Sequence, residues 1–165
     1  MIKHVHSYAV ALGSNRRSRF GTPAETLRAA AAAIGADQLS AIRPTQALGP
    51  AGRTFANAAV IVSTALEPPA LLTSLKQVEA AFGRRPGRRW GPRVLDLDVI
   101  LWSGGTWSGF GLTVPHSSFR QRRFVLQPLA ELVPSWRDPL TGLTVRQLLA
   151  RLERRRPVDP SPPAT

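Results

Sequence analysis

The chain has 165 residues, enough for one domain with a sizeable core, and no cysteine, which excludes disulfides and thiolate metal centres. Apolar residues make up 43% of it, yet no apolar run approaches the length of a membrane span. Residues 1–6 lack the apolar stretch and cleavage site of a signal peptide, so a soluble, cytoplasmic protein is expected. Twenty-two Lys and Arg against ten acids give a net charge of +12, which suits either an anionic metabolite or nucleic acid.

In chain order, residues 5–12 read as a strand running into a turn at Gly13-Ser14-Asn15. Thr22, Pro23 and Glu25 spell an N-cap, a proline at the first helical position and a capping-box acid. The alanine-rich run to Ile34 is therefore a predicted helix, stopped by Gly35. Residues 39–45 form a predicted second strand and residues 55–64 a third, joined by a Gly/Pro loop over 46–53. Glu67-Pro68-Pro69 opens a second helix with an apolar stripe of Leu71, Leu72, Leu75, Val78 and Phe82, closed by Gly83. Glu79, near its end, reads as a surface acid or as a substrate-orienting group.

Beyond Gly83 two chemically opposite pieces meet. Arg84, Arg85, Arg88, Arg89 and Arg93 lie among Gly and Pro, the composition of an exposed loop. The next residues alternate, placing Leu95, Leu97, Val99 and Leu101 on one face of a strand and Asp96 and Asp98 on the other. Two carboxylates about 7 Å apart along a strand can converge on hard cations, and Mg²⁺ prefers oxygen ligands with phosphates completing its shell. Acids for metal beside arginines for phosphate is the inventory of phosphoryl transfer, although an isolated Asp-x-Asp is more often a solvated strand face.

Residues 103–106 form a tight turn into 107–114, a predicted hairpin. His116 then precedes Arg120, Arg122 and Arg123, which suits an anion-facing role. Residues 125–133 read as a short helix or an apolar turn. Thr144 and Gln147 make a second capping box, opening a final helix that buries Leu148, Leu149 and Leu152. From Arg154 the composition becomes a disordered Arg/Pro-rich tail, leaving one domain over residues 1–153. The order strand, helix, strand, strand, helix, strand is that of a ferredoxin-like (split βαβ) α+β fold, an antiparallel sheet with helices packed on one face, here with a C-terminal hairpin and helices added.

The segment Arg89-Trp90-Gly91-Pro92-Arg93-Val94-Leu95-Asp96-Leu97-Asp98 resembles the signature of the 6-hydroxymethyl-7,8-dihydropterin pyrophosphokinases of folate biosynthesis. In the same order come Ala11-Leu12-Gly13-Ser14-Asn15, Phe55-x-Asn57-Ala58-Ala59, Leu112-Thr113-Val114-Pro115-His116 and Arg122-x-Phe124, so the resemblance spans about residues 7–150. It implies the same ferredoxin-like fold and transfer of pyrophosphate from ATP to the pterin, with AMP released. It further implies two Mg²⁺ ions on Asp96 and Asp98, with Arg84 and Arg93 sharing the catalytic work. By the same resemblance Lys76, Glu79, Arg85, Arg89, Arg93, Val99, Thr113, His116 and Arg122 would hold ATP. Thr45, Leu48, Phe55, Asn57, Trp90 and Phe124 would hold the pterin. The expected partners are these two small molecules, with no nucleic acid, no membrane and a monomeric state. The rival, a basic nucleic-acid-binding module on the same scaffold, explains the charge but lacks the aromatic strand motifs of such modules and leaves the two acids without a purpose.

Overall fold

The computed structural model describes residues 4–46, 54–83 and 94–155. Three long strands make up most of the sheet: β1 (His6–Ser14), β4 (Thr54–Thr64) and β5 (Asp96–Trp102). β1 lies in the middle, antiparallel to β4 on one side and to β5 on the other. Two short strands, β2 (Gln38–Leu39) and β3 (Arg43–Gln46), pair one after the other with the far edge of β4.

The predicted strand over 39–45 is thus broken in two, and the reason is local. The Ser40 hydroxyl accepts the Ala59 N–H at 2.9 Å, and the Ala41 N–H goes to the Glu131 carboxylate at 2.6 Å instead of to the ladder. β1 also runs two residues past its expected end. Gly13 and Ser14 are paired strand residues, so the turn begins only at Asn15.

Helices α1 (Pro23–Ala33) and α2 (Pro68–Ala81) cover one face of the sheet. Leu27 and Ala30 from α1, with Leu71 and Leu75 from α2, pack on Val10, Leu12, Val60, Leu97 and Val99. The N-cap of α1 is as the sequence indicates, Thr22 Oγ1 accepting the Glu25 N–H at 3.2 Å, but the Glu25 carboxylate takes the Thr22 hydroxyl at 3.0 Å in place of the capping-box backbone N–H; Gly35 follows the helix at a φ of 68°. The other face is not left to solvent. Helices α3 (Arg123–Leu132) and α4 (Val145–Arg155) bury it, bringing Val125, Leu126, Leu129 and Leu148 onto Ala9, Ala59, Ile61, Ile100 and Leu101. The sheet is therefore sandwiched, which corrects the expectation of helices on one face only. Of residues 125–133, open between helix and turn in the sequence, all but Val133 belong to α3, and Val133 caps its end. α4 opens on a reciprocal capping box, Gln147 N–H to Thr144 Oγ1 at 3.1 Å and Thr144 N–H to Gln147 Oε1 at 2.9 Å. It continues through Arg154 and Arg155, two residues into the expected tail.

A further correction concerns β5. Val10 pairs with Val99 but Ala9 pairs with Leu101, so one extra residue, Ile100, is accommodated as a bulge. Beyond it the alternation is shifted, and Leu101 packs with α3 and α4 instead of with Leu97 and Val99. The expected hairpin is also differently placed. β6 (Trp107–Gly109) and β7 (Leu112–Val114) pair with each other in a separate two-stranded sheet, where one strand returning along β5 was expected.

Candidate functional site

β5 is the edge strand, and the site is built along it. A cavity of about 370 Å³ opens there, walled by Leu72, Lys76 and Glu79 of α2, by Asp96, Asp98 and Val99 of β5, and by Leu112, Thr113 and His116 after it. Leu72, Lys76 and Glu79 reach it together because positions four and seven apart share a helix face. Glu79 is no surface acid: it is 4% exposed, and its Oε2 accepts the Leu97 N–H at 3.0 Å. That N–H faces away from β1, so the carboxylate caps an edge donor that would otherwise be buried without a ladder partner.

Asp96 and Asp98 share a face, since Asp96 pairs with Gly13 and Asp98 with Ala11. Asp98 is exposed and Asp96 half-buried, so both carboxylates remain accessible to a ligand. Opposite them His116 is held by its own backbone, whose N–H donates to the Ile100 carbonyl at 3.1 Å. Its Nδ1 accepts the Ser118 N–H at 3.1 Å, which leaves the ring proton on Nε2. Burial lowers the His116 pKa; Asp98 opposes this and Arg122 adds to it, so the ring sits below its usual value and is neutral at pH 7.

The second half of the site lies on the sheet face that carries the two acids. Asp96, Gly13, Asn57 and Arg43 are successive partners across β5, β1, β4 and β3. Two residue pairs further along, and so on the same face, Thr45 faces Phe55. Asn57 is 7% exposed and crosses above Gly13, where a Cβ would stand 3.3 Å from its Oδ1. Phe124, at the start of α3, is 39% exposed, and the Arg122 guanidinium stands 5.8 Å from its ring centroid. A half-exposed aromatic ring offers apolar area on which a flat ligand could pack.

The cavity therefore gathers Lys76, Glu79, Asp96, Asp98, Val99, Thr113 and His116 from the sequence-derived set, with Arg122 acting on His116. Thr45 and Asn57 share the adjoining sheet face. Phe55 also borders an apolar recess with Pro23, Ile42 and Pro44 on the α1 side. Leu48, Arg84, Arg85, Arg89, Trp90 and Arg93 lie outside the described residues. Sequence reasoning gave Leu72 only a packing role in the apolar stripe of α2, whereas it lines the cavity one turn before Lys76. That reasoning passed over Arg43, whose Nη2 donates to Glu131 at 3.0 Å while its buried Nη1 has no partner. Among the described residues no group of three or more His, Asp or Glu is arranged to hold a metal by itself.

Fold and site together define a small α+β protein with a carboxylate-bearing cavity beside a flat polar face. A family model for 7,8-dihydro-6-hydroxymethylpterin-pyrophosphokinase matches residues 9–134. The chain is 39% identical over 157 residues to the 2-amino-4-hydroxy-6-hydroxymethyldihydropteridine pyrophosphokinase of Pseudomonas aeruginosa, covering 91% of this chain and 92% of that one. It is 36% identical over 154 residues to the enzyme of the same name from Synechocystis, covering 90% and 77%. In fold it is similar to the Plasmodium falciparum HPPK-DHPS crystal structure, with a TM-score of 0.74 at 13% identity; the match covers 93% of this chain and 46% of that longer one. This chain belongs to the 7,8-dihydro-6-hydroxymethylpterin-pyrophosphokinase family, and is a pyrophosphokinase.

Proposed function

We propose that the chain transfers the β,γ-diphosphoryl unit of ATP to the hydroxymethyl oxygen of 6-hydroxymethyl-7,8-dihydropterin, as a step of folate biosynthesis. The substrate hydroxyl oxygen attacks the β-phosphorus and gives up its proton to solvent, the bond to the oxygen shared with the α-phosphate breaks, and AMP leaves with that oxygen. The observation that carries this reading is the pairing of Asp96 and Asp98 on one face of edge strand β5, inside the cavity that also holds Lys76 and His116.

The donor set fits Mg²⁺, which is commonly held by one or two carboxylates with phosphates and waters filling the remaining positions. Two ions are assigned to Asp96 and Asp98; when bound, they would neutralise the charge that builds on the transferring oxygens. The protein's own share is positioning. The neutral His116 offers its Nε2–H to a phosphate oxygen, and Arg122 adds a fixed charge beside it. Lys76 supplies a second cation from α2, while Glu79 keeps the edge of β5 in register. Val99 and Thr113 form the cavity wall on which the nucleotide rests. Arg84, Arg85, Arg89 and Arg93 complete the grip on the phosphates, as the family resemblance implies.

The pterin is assigned to the sheet face. Asn57 has both donors and an acceptor for a pterin's mixed hydrogen-bonding edge. Thr45 and Phe55 border it on the β3 side and Phe124 on the α3 side, with Leu48 and Trp90 joining them by resemblance. The strand order β5, β1, β4 and then β2 with β3, all antiparallel, supports a ferredoxin-like (split βαβ) core to which β6, β7, α3 and α4 are additions. A cytoplasmic monomer with no nucleic-acid or membrane partner completes the reading.

Mn²⁺ binding followed by electron paramagnetic resonance tests the metal assignment, with a non-hydrolysable ATP analogue present. Wild-type protein is expected to hold Mn²⁺ and Asp98→Asn to release it. Equal Mn²⁺ binding by both proteins would contradict the assignment.

A further inference from the structure

The turn of the β6–β7 hairpin is built against its own sequence. Gly109, Phe110 and Gly111 have φ values of 146°, 54° and 74°, three positive values in succession. Glycine adopts these readily, but a bulky aromatic does not, so Phe110 is held in a disfavoured backbone conformation. Its side chain gains nothing from the fold in return, being 83% exposed, the most exposed large apolar residue among those described. The turn itself is anchored: Trp107 Nε1 donates to the Gly109 carbonyl at 3.3 Å, and the Trp107 ring packs edge-on against Trp102. A fixed turn thus presents an unburied ring at a cost, which is the pattern of a residue kept for a ligand.

The cavity on β5 identifies the ligand. Its wall begins at Gly111, the residue next to Phe110, and continues through Leu112 and Thr113. Lys76, Asp96, Asp98 and His116 supply the charged, phosphate-suited part of the same cavity, while Leu72, Val99 and Leu112 supply an apolar part. A nucleotide divides in the same way, into phosphates and a flat aromatic base. With phosphates on the charged part, a base would lie against the apolar part, on the side where Gly111 and Leu112 join the wall.

We infer that Phe110 stacks on the purine base of the nucleotide, making it a binding residue of the ATP site. This rests on the reading of the cavity as an ATP site. Base–aromatic stacking is strong enough for loss of the ring to weaken nucleotide affinity about tenfold.

The test is isothermal calorimetry of the full chain without pterin, in Mg²⁺, using ATP and inorganic tripolyphosphate as separate probes. Phe110→Gly removes the ring and is at ease at positive φ, so backbone strain cannot account for a loss; Phe110→Tyr keeps the ring. The expected result is ATP binding weakened about tenfold in Phe110→Gly, restored in Phe110→Tyr, and tripolyphosphate binding equal in all three proteins. ATP binding by Phe110→Gly equal to wild type would overturn the stacking role, as would equal losses for the two probes. Wild-type protein that binds neither probe would instead overturn the ATP site itself, and the stacking role with it.

Discussion

Gly13 of β1 and Asn57 of β4 are direct partners, and a Cβ on Gly13 would stand 3.3 Å from the Asn57 Oδ1. The glycine is favoured here by close approach, since a side chain would press on its partner's amide, which would have to give by a few tenths of an ångström. Gly13→Ala is therefore expected to displace the Asn57 amide from the sheet face and weaken pterin binding about threefold to tenfold, the scale of one hydrogen bond. Thermal stability should hardly change. Calorimetric titration with the pterin checks this; unchanged affinity would show that Asn57 does not read the ligand.

Asp96→Asn and Asp98→Asn should each lower turnover by about a hundredfold or more, because each removes charge at the proposed phosphoryl-transfer centre. Neither side chain is part of either apolar core, so the melting temperature should stay close to wild type. Steady-state kinetics with parallel thermal melts separate the two effects. A variant that melts early would mean that the acids stabilise the strand instead.

Asp138 is fully buried and is gripped by Arg120, whose Nη2 donates to Oδ1 at 2.8 Å and whose Nε donates to Oδ2. Burial raises the Asp138 pKa, but hydrogen bonds from Arg120, Thr141 and the Leu140 N–H, with the Arg120 charge, outweigh it and hold the carboxyl at about 2. A depressed acid stabilises the fold above its unfolded pKa, near 3.8, and that stability is lost as pH falls toward 2. Arg120→Met leaves the carboxylate buried and unpaired, at an expected cost of about 3 kcal/mol at neutral pH. Urea denaturation at neutral and acid pH should show this cost shrinking as Asp138 protonates.

Tyr8, the single tyrosine of the chain, donates to the Leu66 carbonyl at 2.6 Å. Burial, with Glu67 adding to it, pushes its pKa up to about 12. Since the raised value favours the protonated folded state, its contribution is full below pH 10 and is lost as pH rises through about 12. With one tyrosine the phenolate absorbance reports this directly. The step should fall near 12 in native protein and near 10 in denaturant; coincident steps would show the ring to be solvated.

Much of this architecture is written in local chemistry. The caps at Thr22 and Thr144 each rest on one hydroxyl three residues before its partner, so both helix starts are legible. So are Asp96 and Asp98, because a period of two places them on one face however the strand is packed. What was not legible depends on partners distant in sequence. The bulge at Ile100 arises only in the pairing with Ala9 and Val10, and nothing in an unbroken apolar run marks where the alternation shifts. The break between β2 and β3 depends on Ser40 meeting Ala59 and on Glu131 arriving from α3. The burial of Glu79 depends on the Leu97 N–H being left at a sheet edge. Each is a tertiary choice that overrides a sound local pattern.

The central claim is the reaction itself, and nucleotide product analysis tests it most directly. Protein incubated with Mg²⁺, ATP and 6-hydroxymethyl-7,8-dihydropterin should form AMP in step with the pterin diphosphate, both abolished by a chelator. ADP in place of AMP, or AMP formed without pterin diphosphate, would contradict the account.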